Sequence, residues 1–149
     1  MPHIERTAHA GWDGNLARGA GLLDATSGAF ARLPFSLASR VGDPGGKTSP
    51  EELLAAAHGG CITMSLAGEL TAAGAPPGRL DTAVTIVMDE IEGQGHQIVG
   101  SRVEFVVRVD GLDDAALQSA LAKADEGCPF SSLLRRAGAD VAVSAKLAE

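Results

Sequence analysis

The longest apolar run of the chain covers residues 53–66, where nearly every position is hydrophobic or small. An all-round apolar pattern predicts a helix that is covered on most of its sides. Ser49 is suited to cap the start of this helix, Pro50 to occupy its first turn, and Glu52 to complete a capping box. Gly74 is suited to end the helix, because glycine can adopt the left-handed conformation of a C-terminal cap. The helix would be about 37 Å long, which is more than a small domain encloses, so we expect part of it to pack against a second copy of the chain.

Alternating patterns on both sides of this helix predict strands. Residues 3–12, 17–25 and 29–37 form three short candidates joined by Gly-rich turns, which indicates a meander. After the helix, residues 82–89 and 101–109 predict a hairpin, 113–126 and 128–137 two helices, and 139–147 a final strand. No repeat or linker interrupts the chain. We therefore predict one α+β domain over residues 1–149, with antiparallel sheets around the long central helix.

Composition and charge exclude several classes of function. The chain of 149 residues is 45% hydrophobic and carries a net charge of −7, without any basic run. Such a surface argues against binding to nucleic acid or to anionic membranes. The start of the chain lacks the pattern of a secretory signal, and the long helix is too rich in Gly, Ala and charged ends for a membrane span. We expect a cytoplasmic protein that binds neither nucleic acid nor membrane.

Any chemistry of the chain has to involve its two cysteines. The four histidines lie in separate predicted elements, and no spacing typical of a zinc site occurs. The glycines of residues 42–47 do not have the spacing of a phosphate-binding loop, and no serine nucleophile motif is present. We therefore expect no bound metal and no bound cofactor, and thiol chemistry remains if the protein is an enzyme.

The two cysteines have different predicted surroundings. Cys128 stands between a helix-ending glycine and Pro129, so it is predicted to cap a helix whose dipole favours the thiolate. Cys61 lies within the long helix, where desolvation raises the pKa of a thiol. No Lys or Arg on that helix is within reach of Cys61. The residues alone thus make Cys128 the more acidic thiol, and they leave open that Cys61 is a buried, unreactive residue.

Two cysteine-containing motifs resemble a known family. Residues 49–66, with the sequence SPEELLAAAHGGCITMSL, and residues 126–134, with EGCPFSSLL, are similar to the OsmC/Ohr family of osmotically inducible and organic hydroperoxide resistance proteins. Residues 9–15 and 19–21 resemble the OsmC branch. The resemblance covers essentially the whole chain. It implies an intertwined α+β homodimer and a cysteine peroxidase that reduces organic hydroperoxides, with an external dithiol reductant for which a lipoyl-type dithiol is one candidate.

The resemblance also implies roles for individual residues. Cys61 would be the peroxidatic cysteine and Cys128 the resolving one. The arginine and glutamate that the family places beside the reactive sulfur correspond to Arg40 and Glu51, with Arg18 as the substitute for Arg40. A guanidinium offers several fixed donors, so Arg40 would stabilise the Cys61 thiolate and the leaving oxygen.

The position of Glu51 on the long helix predicts where this site is assembled. Glu51 and Cys61 are ten residues apart, which on an ideal helix is about 15 Å and places them on different faces. We therefore expect Arg40 and Glu51 to reach the Cys61 of a partner chain. His58, one turn before Cys61, is either a residue that tunes the pocket or, as the favoured alternative, a core or interface histidine bonded to backbone.

The predicted substrates are alkyl hydroperoxides rather than hydrogen peroxide. Met64, Phe35 and Phe130 are candidates for an apolar lining, and the alternative is that they are ordinary core residues. Two other functions remain open. The chain could be a thiol or small-molecule binding protein without peroxidase turnover, or a dimeric stress-interaction protein without catalysis.

Overall fold

The computed structural model describes residues 2–149. The chain divides into two compact units, one ending at Leu53 and the other beginning at Leu54. Each unit contains a three-stranded sheet. The α+β class and the long helix are as predicted, whereas a single domain over the whole chain stays a prediction.

The first unit contains the predicted meander, with shorter strands than the pattern indicated. Its strands are β1 (Ala8–Asp13), β2 (Ala20–Ala25) and β3 (Leu33–Phe35), in the order β1-β2-β3 with antiparallel neighbours. Gly21 in β2 is buried, and a side chain there would collide with the ring of Phe35 and with the carbonyl oxygen of Gly11. Glycine at this position therefore allows the aromatic ring of β3 to lie directly on the neighbouring strand.

A short helix, α1 (Leu37–Val41), follows β3 and was not predicted from the sequence. Ser36 caps it, because the Ser36 hydroxyl accepts from the amide of Ser39, and the Ser39 hydroxyl accepts from the amide of Ser36, both at 3.1 Å. This is a capping box with serine where glutamate or glutamine is usual. The box fixes the start of a helix of five residues, and Arg40 lies in its last turn.

The long helix α2 (Pro50–Ala72) has the predicted start and end. The Ser49 hydroxyl accepts a hydrogen bond of 3.1 Å from the amide of Glu52, as expected of an N-cap. At the other end Gly74 has a φ of 79°, and its amide donates to the carbonyl of Thr71 at 3.0 Å. A glycine in the left-handed conformation and this hydrogen bond are features of the Schellman motif.

Within one chain, α2 is buried along one face only. Every fourth residue is buried: His58, Ile62, Leu66 and Leu70. On another face, residues 56, 60, 64 and 68 are exposed, and Met64 is 72% exposed. The predicted burial on most sides is therefore not reached in the single chain. By length and composition α2 could also cross a membrane, a criterion that core helices of soluble proteins meet as well.

The second unit corrects the prediction of purely antiparallel sheets. Its strands are β4 (Arg79–Ile91), β5 (Gly95–Arg108) and β6 (Asp140–Leu147). The hairpin of β4 and β5 is antiparallel as predicted, but β6 runs parallel to β5. Parallel neighbours require a long crossover, and the two helices between β5 and β6 supply it.

These two helices are α3 (Asp114–Gly127) and α4 (Pro129–Arg136), and they contact β6. Asp113 caps α3 by accepting from the amide of Ala116 at 2.8 Å, and Gly127, which was predicted to end the helix, is its last residue. The core of this unit combines the buried face of α2 with the inner faces of the sheet, α3 and α4. Its members are Ile62, Leu66, Leu70, Val103, Phe105, Val107, Leu117, Ala120, Leu121, Ala124 and Cys128.

Candidate functional site

Cys61 and Cys128 meet in the second unit although they are 67 residues apart in the sequence (128 minus 61). Cys61 lies in α2, and Cys128 lies between α3 and α4 as the N-cap residue of α4. Both are free thiols. Cys128 is fully buried within the core, whereas Cys61 is half-buried at its border. Of the two sulfurs, Cys61 is thus the one that a reagent from solvent can reach.

The surroundings of Cys61 favour the thiol over the thiolate. Burial raises the pKa of Cys61, and its hydrogen bond and electrostatic interaction with Cys128 raise the pKa further. The backbone amide of Phe130 acts in the opposite direction, because its hydrogen bond to the sulfur stabilises the thiolate and lowers the pKa. The desolvation effect predicted from the sequence is therefore present. Reaction as a nucleophile requires an additional positive charge beside the sulfur.

The start of α4 differs from the prediction for Cys128. Cys128 is the N-cap residue of α4, as predicted, but its side chain makes no cap hydrogen bond. The amide of Phe130, in the first turn of α4, is directed instead at Cys61. Amides at this end of a helix have no partner within the helix and carry its positive dipole end. The start of α4 therefore supports a negative charge on Cys61, because the Cys128 side chain does not occupy the amides.

Arg40 and Glu51 form an ion pair in the first unit. Nε of Arg40 lies 3.1 Å from both carboxylate oxygens of Glu51, and Nη2 lies 2.5 Å from Oε1. Hydrogen bonding from Arg40 lowers the pKa of Glu51, and Glu51 raises the pKa of Arg40. A bidentate pair holds the guanidinium in one orientation. Arg18 lies in the exposed turn after β1. Placement of Arg40 and Glu51 beside a Cys61 stays a prediction.

An apolar cavity of about 310 Å³ lies beside Arg40 in the first unit. Trp12 and Phe35 line it, with ring centroids 5.6 Å apart, so one of the three predicted lining residues does border a cavity. Of the other two, Phe130 is partly buried against the core of the second unit, and Met64 is largely exposed. The cavity combines aromatic surface with a cationic group, which suits an organic molecule with a polar or anionic end.

His58 is a core histidine, but its partners differ from the prediction. Both ring nitrogens bond to side chains: Nδ1 is 2.8 Å from the hydroxyl of Ser101, and Nε2 is 2.9 Å from the hydroxyl of Ser131. The predicted backbone partner is replaced by two serines. No local pattern could have indicated these partners, because Ser101 and Ser131 are 43 and 73 residues away from His58. Burial lowers the pKa of His58, which favours the neutral ring.

Among residues 2–149, no group of three or more His, Cys, Asp and Glu side chains has an arrangement that could hold a metal ion.

Comparison with known proteins agrees with this architecture. Residues 42–144 match the family model described as OsmC-like protein. Peroxiredoxin OsmC of Escherichia coli is 33% identical over 133 residues, which cover 89% of this chain and 91% of that protein. An organic hydroperoxide resistance protein of Xanthomonas axonopodis is 32% identical and covers 87% of each chain. In fold, the chain is similar to the crystal structure of an organic hydroperoxide resistance protein OsmC from Legionella pneumophila, with a TM-score of 0.73, 23% identity, and coverage of 94% of this chain and 96% of that one.

Proposed function

Because this chain belongs to the OsmC-like protein family, as its sequence motifs indicated, we propose that it is a thiol-dependent peroxidase that reduces organic hydroperoxides to alcohols. The observation that carries the proposal is the contact between a half-buried Cys61 and a fully buried Cys128. One sulfur is accessible to a substrate, and the other is accessible only to its neighbour. This is the arrangement that a peroxidatic and a resolving cysteine require.

In the first step the Cys61 thiolate attacks the terminal oxygen of the hydroperoxide. A sulfur–oxygen bond forms, the oxygen–oxygen bond breaks, and the alkoxide leaves and takes up a proton to become an alcohol. Cys61 is thereby oxidised to a sulfenic acid. The amide of Phe130 stabilises the thiolate that this step consumes.

In the second step the Cys128 sulfur attacks the sulfenic sulfur of Cys61. A disulfide forms, the sulfur–oxygen bond breaks, and the hydroxyl leaves as water with the thiol proton of Cys128. An external dithiol, for which a lipoyl-type compound is our candidate, then reduces the disulfide and is itself oxidised. These steps need no bound cofactor, and a reducing cytoplasm would supply the dithiol.

The positive charge that Cys61 needs is assigned in this proposal to Arg40 of a partner subunit, held by Glu51 of the same subunit. The bidentate pair supports this role, because it leaves the guanidinium with one fixed orientation. The ideal helical separation of about 15 Å between residues ten apart favours a partner chain as the source.

A homodimer would also cover the exposed side of α2. Exposed Gly60 and Gly68 have no atom within 4 Å of an added Cβ, so they leave a smooth surface around exposed Met64 that a second helix can approach. Contiguous apolar surface of this kind is typical of an interface. We expect a mass near 30 kDa, twice 15.1 kDa, in sedimentation equilibrium without detergent, and dissociation in Gly60→Glu but not in the control Thr85→Glu on exposed β4 surface. A wild-type protein that is monomeric, or that stays in solution only with detergent, would contradict the dimer.

The cavity beside Arg40 supports organic substrates over hydrogen peroxide. Its aromatic wall gains from contact with an alkyl or aryl group, at roughly 0.8 kcal/mol for each buried methylene, and hydrogen peroxide has no such group. Leu16 also lines the cavity and is 67% exposed, so Leu16→Ser should leave the fold intact. We expect this variant to lose kcat/KM for cumene hydroperoxide and to keep that for hydrogen peroxide. Equal losses for both substrates would contradict this role of the cavity.

The test of the peroxidase itself is consumption of cumene hydroperoxide and hydrogen peroxide with dithiothreitol as the donor. Cys61→Ser should abolish turnover, and Cys128→Ser should complete one stoichiometric reduction and then stop. Ser132→Ala is the matched control, since Ser132 lies one turn after Cys128 and is not among the groups that shift the pKa of Cys61.

Two outcomes would overturn the proposal. If Cys61→Ser retains one turnover and Cys128→Ser none, the roles of the cysteines are reversed. If the wild type consumes neither peroxide but forms a disulfide, the chain is a thiol-bearing binding protein.

A further inference from the structure

His58, Ser101 and Ser131 form a buried polar cluster that the peroxidase steps do not use. The exposed fractions of the three residues are 0%, 2% and 0%. The His58 ring lies between the two hydroxyls, at 2.8 Å from Ser101 and 2.9 Å from Ser131. The cluster thereby connects three elements, since His58 belongs to α2, Ser101 to β5 and Ser131 to α4. Polar groups are placed at such a depth only when each has a partner, so the three residues fix one another.

The cluster lies one helical turn from the cysteine pair on both helices. Along α2, Cys61 follows His58 by three residues, and along the chain at α4, Cys128 precedes Ser131 by three residues. The bond between His58 and Ser131 and the contact between Cys61 and Cys128 are thus two successive connections between the same segments. Residues three apart lie on neighbouring positions of one helix face. A shift of α4 along α2 that separates the two sulfurs must therefore break the His58–Ser131 hydrogen bond.

The chemistry of the ring makes this connection specific. The pKa of His58 is lowered by burial, and of the charged groups that affect it Asp125 raises the pKa and Arg135 lowers it. A neutral imidazole has one donor and one acceptor nitrogen, so one serine receives the ring N–H and the other donates its hydroxyl proton. Each serine is thus tied to one nitrogen. An apolar side chain of similar size could fill the space but could not hold α4 in this register.

We propose that His58 is a positioning residue for the resolving step, because it holds α4 where Cys128 meets Cys61. This inference rests on the proposed peroxidase function and deepens it. The step it serves forms the disulfide: Cys61 as sulfenic acid loses its hydroxyl, Cys128 loses its thiol proton, and both leave together as water. The Cys61 sulfur is reduced and the Cys128 sulfur is oxidised. If the Cys128 sulfur is not within reach, the sulfenic acid reacts instead with a second hydroperoxide and becomes a sulfinic acid.

The test measures how the sulfenic acid is divided between disulfide and sulfinic acid. Ser131→Ala and Ser101→Ala each remove one hydrogen bond of His58, and Ser132→Ala controls for a serine of α4 without such a bond. The reduced proteins are treated with excess cumene hydroperoxide, and intact mass distinguishes the disulfide from a gain of two oxygen atoms. We expect Ser131→Ala to slow disulfide formation about tenfold or more and to accumulate sulfinic acid, because a buried hydrogen bond between α2 and α4 is lost one helical turn from the two sulfurs. Ser101→Ala should have a smaller effect in the same direction.

A second oxidant separates this inference from the peroxidase proposal. Diamide oxidises a thiol pair to a disulfide without any peroxide, so its rate reports the positions of the two sulfurs directly. Slower disulfide formation with diamide in Ser131→Ala than in Ser132→Ala supports the positioning role, even if the wild type consumes no hydroperoxide. Circular dichroism checks that both variants are folded. The inference would be overturned if Ser131→Ala formed the disulfide as fast as the wild type with both oxidants. It would also be overturned if Ser132→Ala slowed disulfide formation as much as Ser131→Ala does. If Ser131→Ala does not fold, Ser101→Ala is compared with Ser132→Ala instead; a smaller slowing of disulfide formation is expected there, and no slowing would overturn the inference.

Discussion

Acidification should weaken the fold through His58, because burial lowers the pKa of this ring. The pKa of this ring in the folded protein lies below its ordinary value of 6.5. Between the two values the unfolded chain binds a proton that the folded chain does not, so stability is complete above pH 6.5 and is lost as the pH falls. The loss is up to about 1.4 kcal/mol for each pH unit within this window. That is a substantial part of a typical stability of about 5–15 kcal/mol.

The assay is urea unfolding followed by circular dichroism at pH 7.5, 6.5 and 5.5, at one ionic strength and one protein concentration. His58→Gln removes the titrating ring and retains an amide that can still donate and accept. We expect a free energy of unfolding that falls between pH 6.5 and 5.5 in the wild type by up to about 1 kcal/mol more than in His58→Gln. His96→Gln makes the same replacement at an exposed histidine of β5 and is the control for the loss of a histidine as such. The same pH dependence in the wild type and His58→Gln would refute the reasoning.

Three further predictions concern the cysteines, the ion pair and the end of α2. Cys128→Ala removes the hydrogen bond and the charge interaction that raise the pKa of Cys61, so alkylation of Cys61 by iodoacetamide should reach half-maximal rate at a lower pH; an unchanged or higher midpoint would contradict this. Arg40→Gln should lower kcat/KM for cumene hydroperoxide by about 10², while the melting temperature changes little because the pair with Glu51 is partly exposed. Gly74→Ala should destabilise the protein by about 1–2 kcal/mol in urea unfolding, because its φ is 79°, and a loss near zero would show that the helix end adapts.

The sequence determined those features whose cause lies within a few residues. Ser49 caps α2 and Gly74 ends it, because a hydroxyl beside an unpartnered amide and a residue without Cβ act locally. The alternating sequence pattern of residues 101–109 and 139–147 predicted strands there, and burial alternates along both segments in β5 and β6. The cysteine motifs identified the family, and the helical position of Cys61 gave the direction of its pKa shift. Even α1 has a local cause in its serine cap, which was missed because its second serine is an unusual member of the motif.

The tertiary structure decided which distant residues meet. Whether β6 runs parallel or antiparallel to β5 depends on the crossover through α3 and α4, not on the alternation of β6 itself. The amide of Phe130 serves Cys61 instead of Cys128 because α4 approaches α2 at this point. His58 bonds to two serines far away in the sequence for the same reason. Hydrophobic periodicity tells which side of an element is covered, but hydrogen bonds and thiol contacts are directional and short, so their partners depend on how the elements pack.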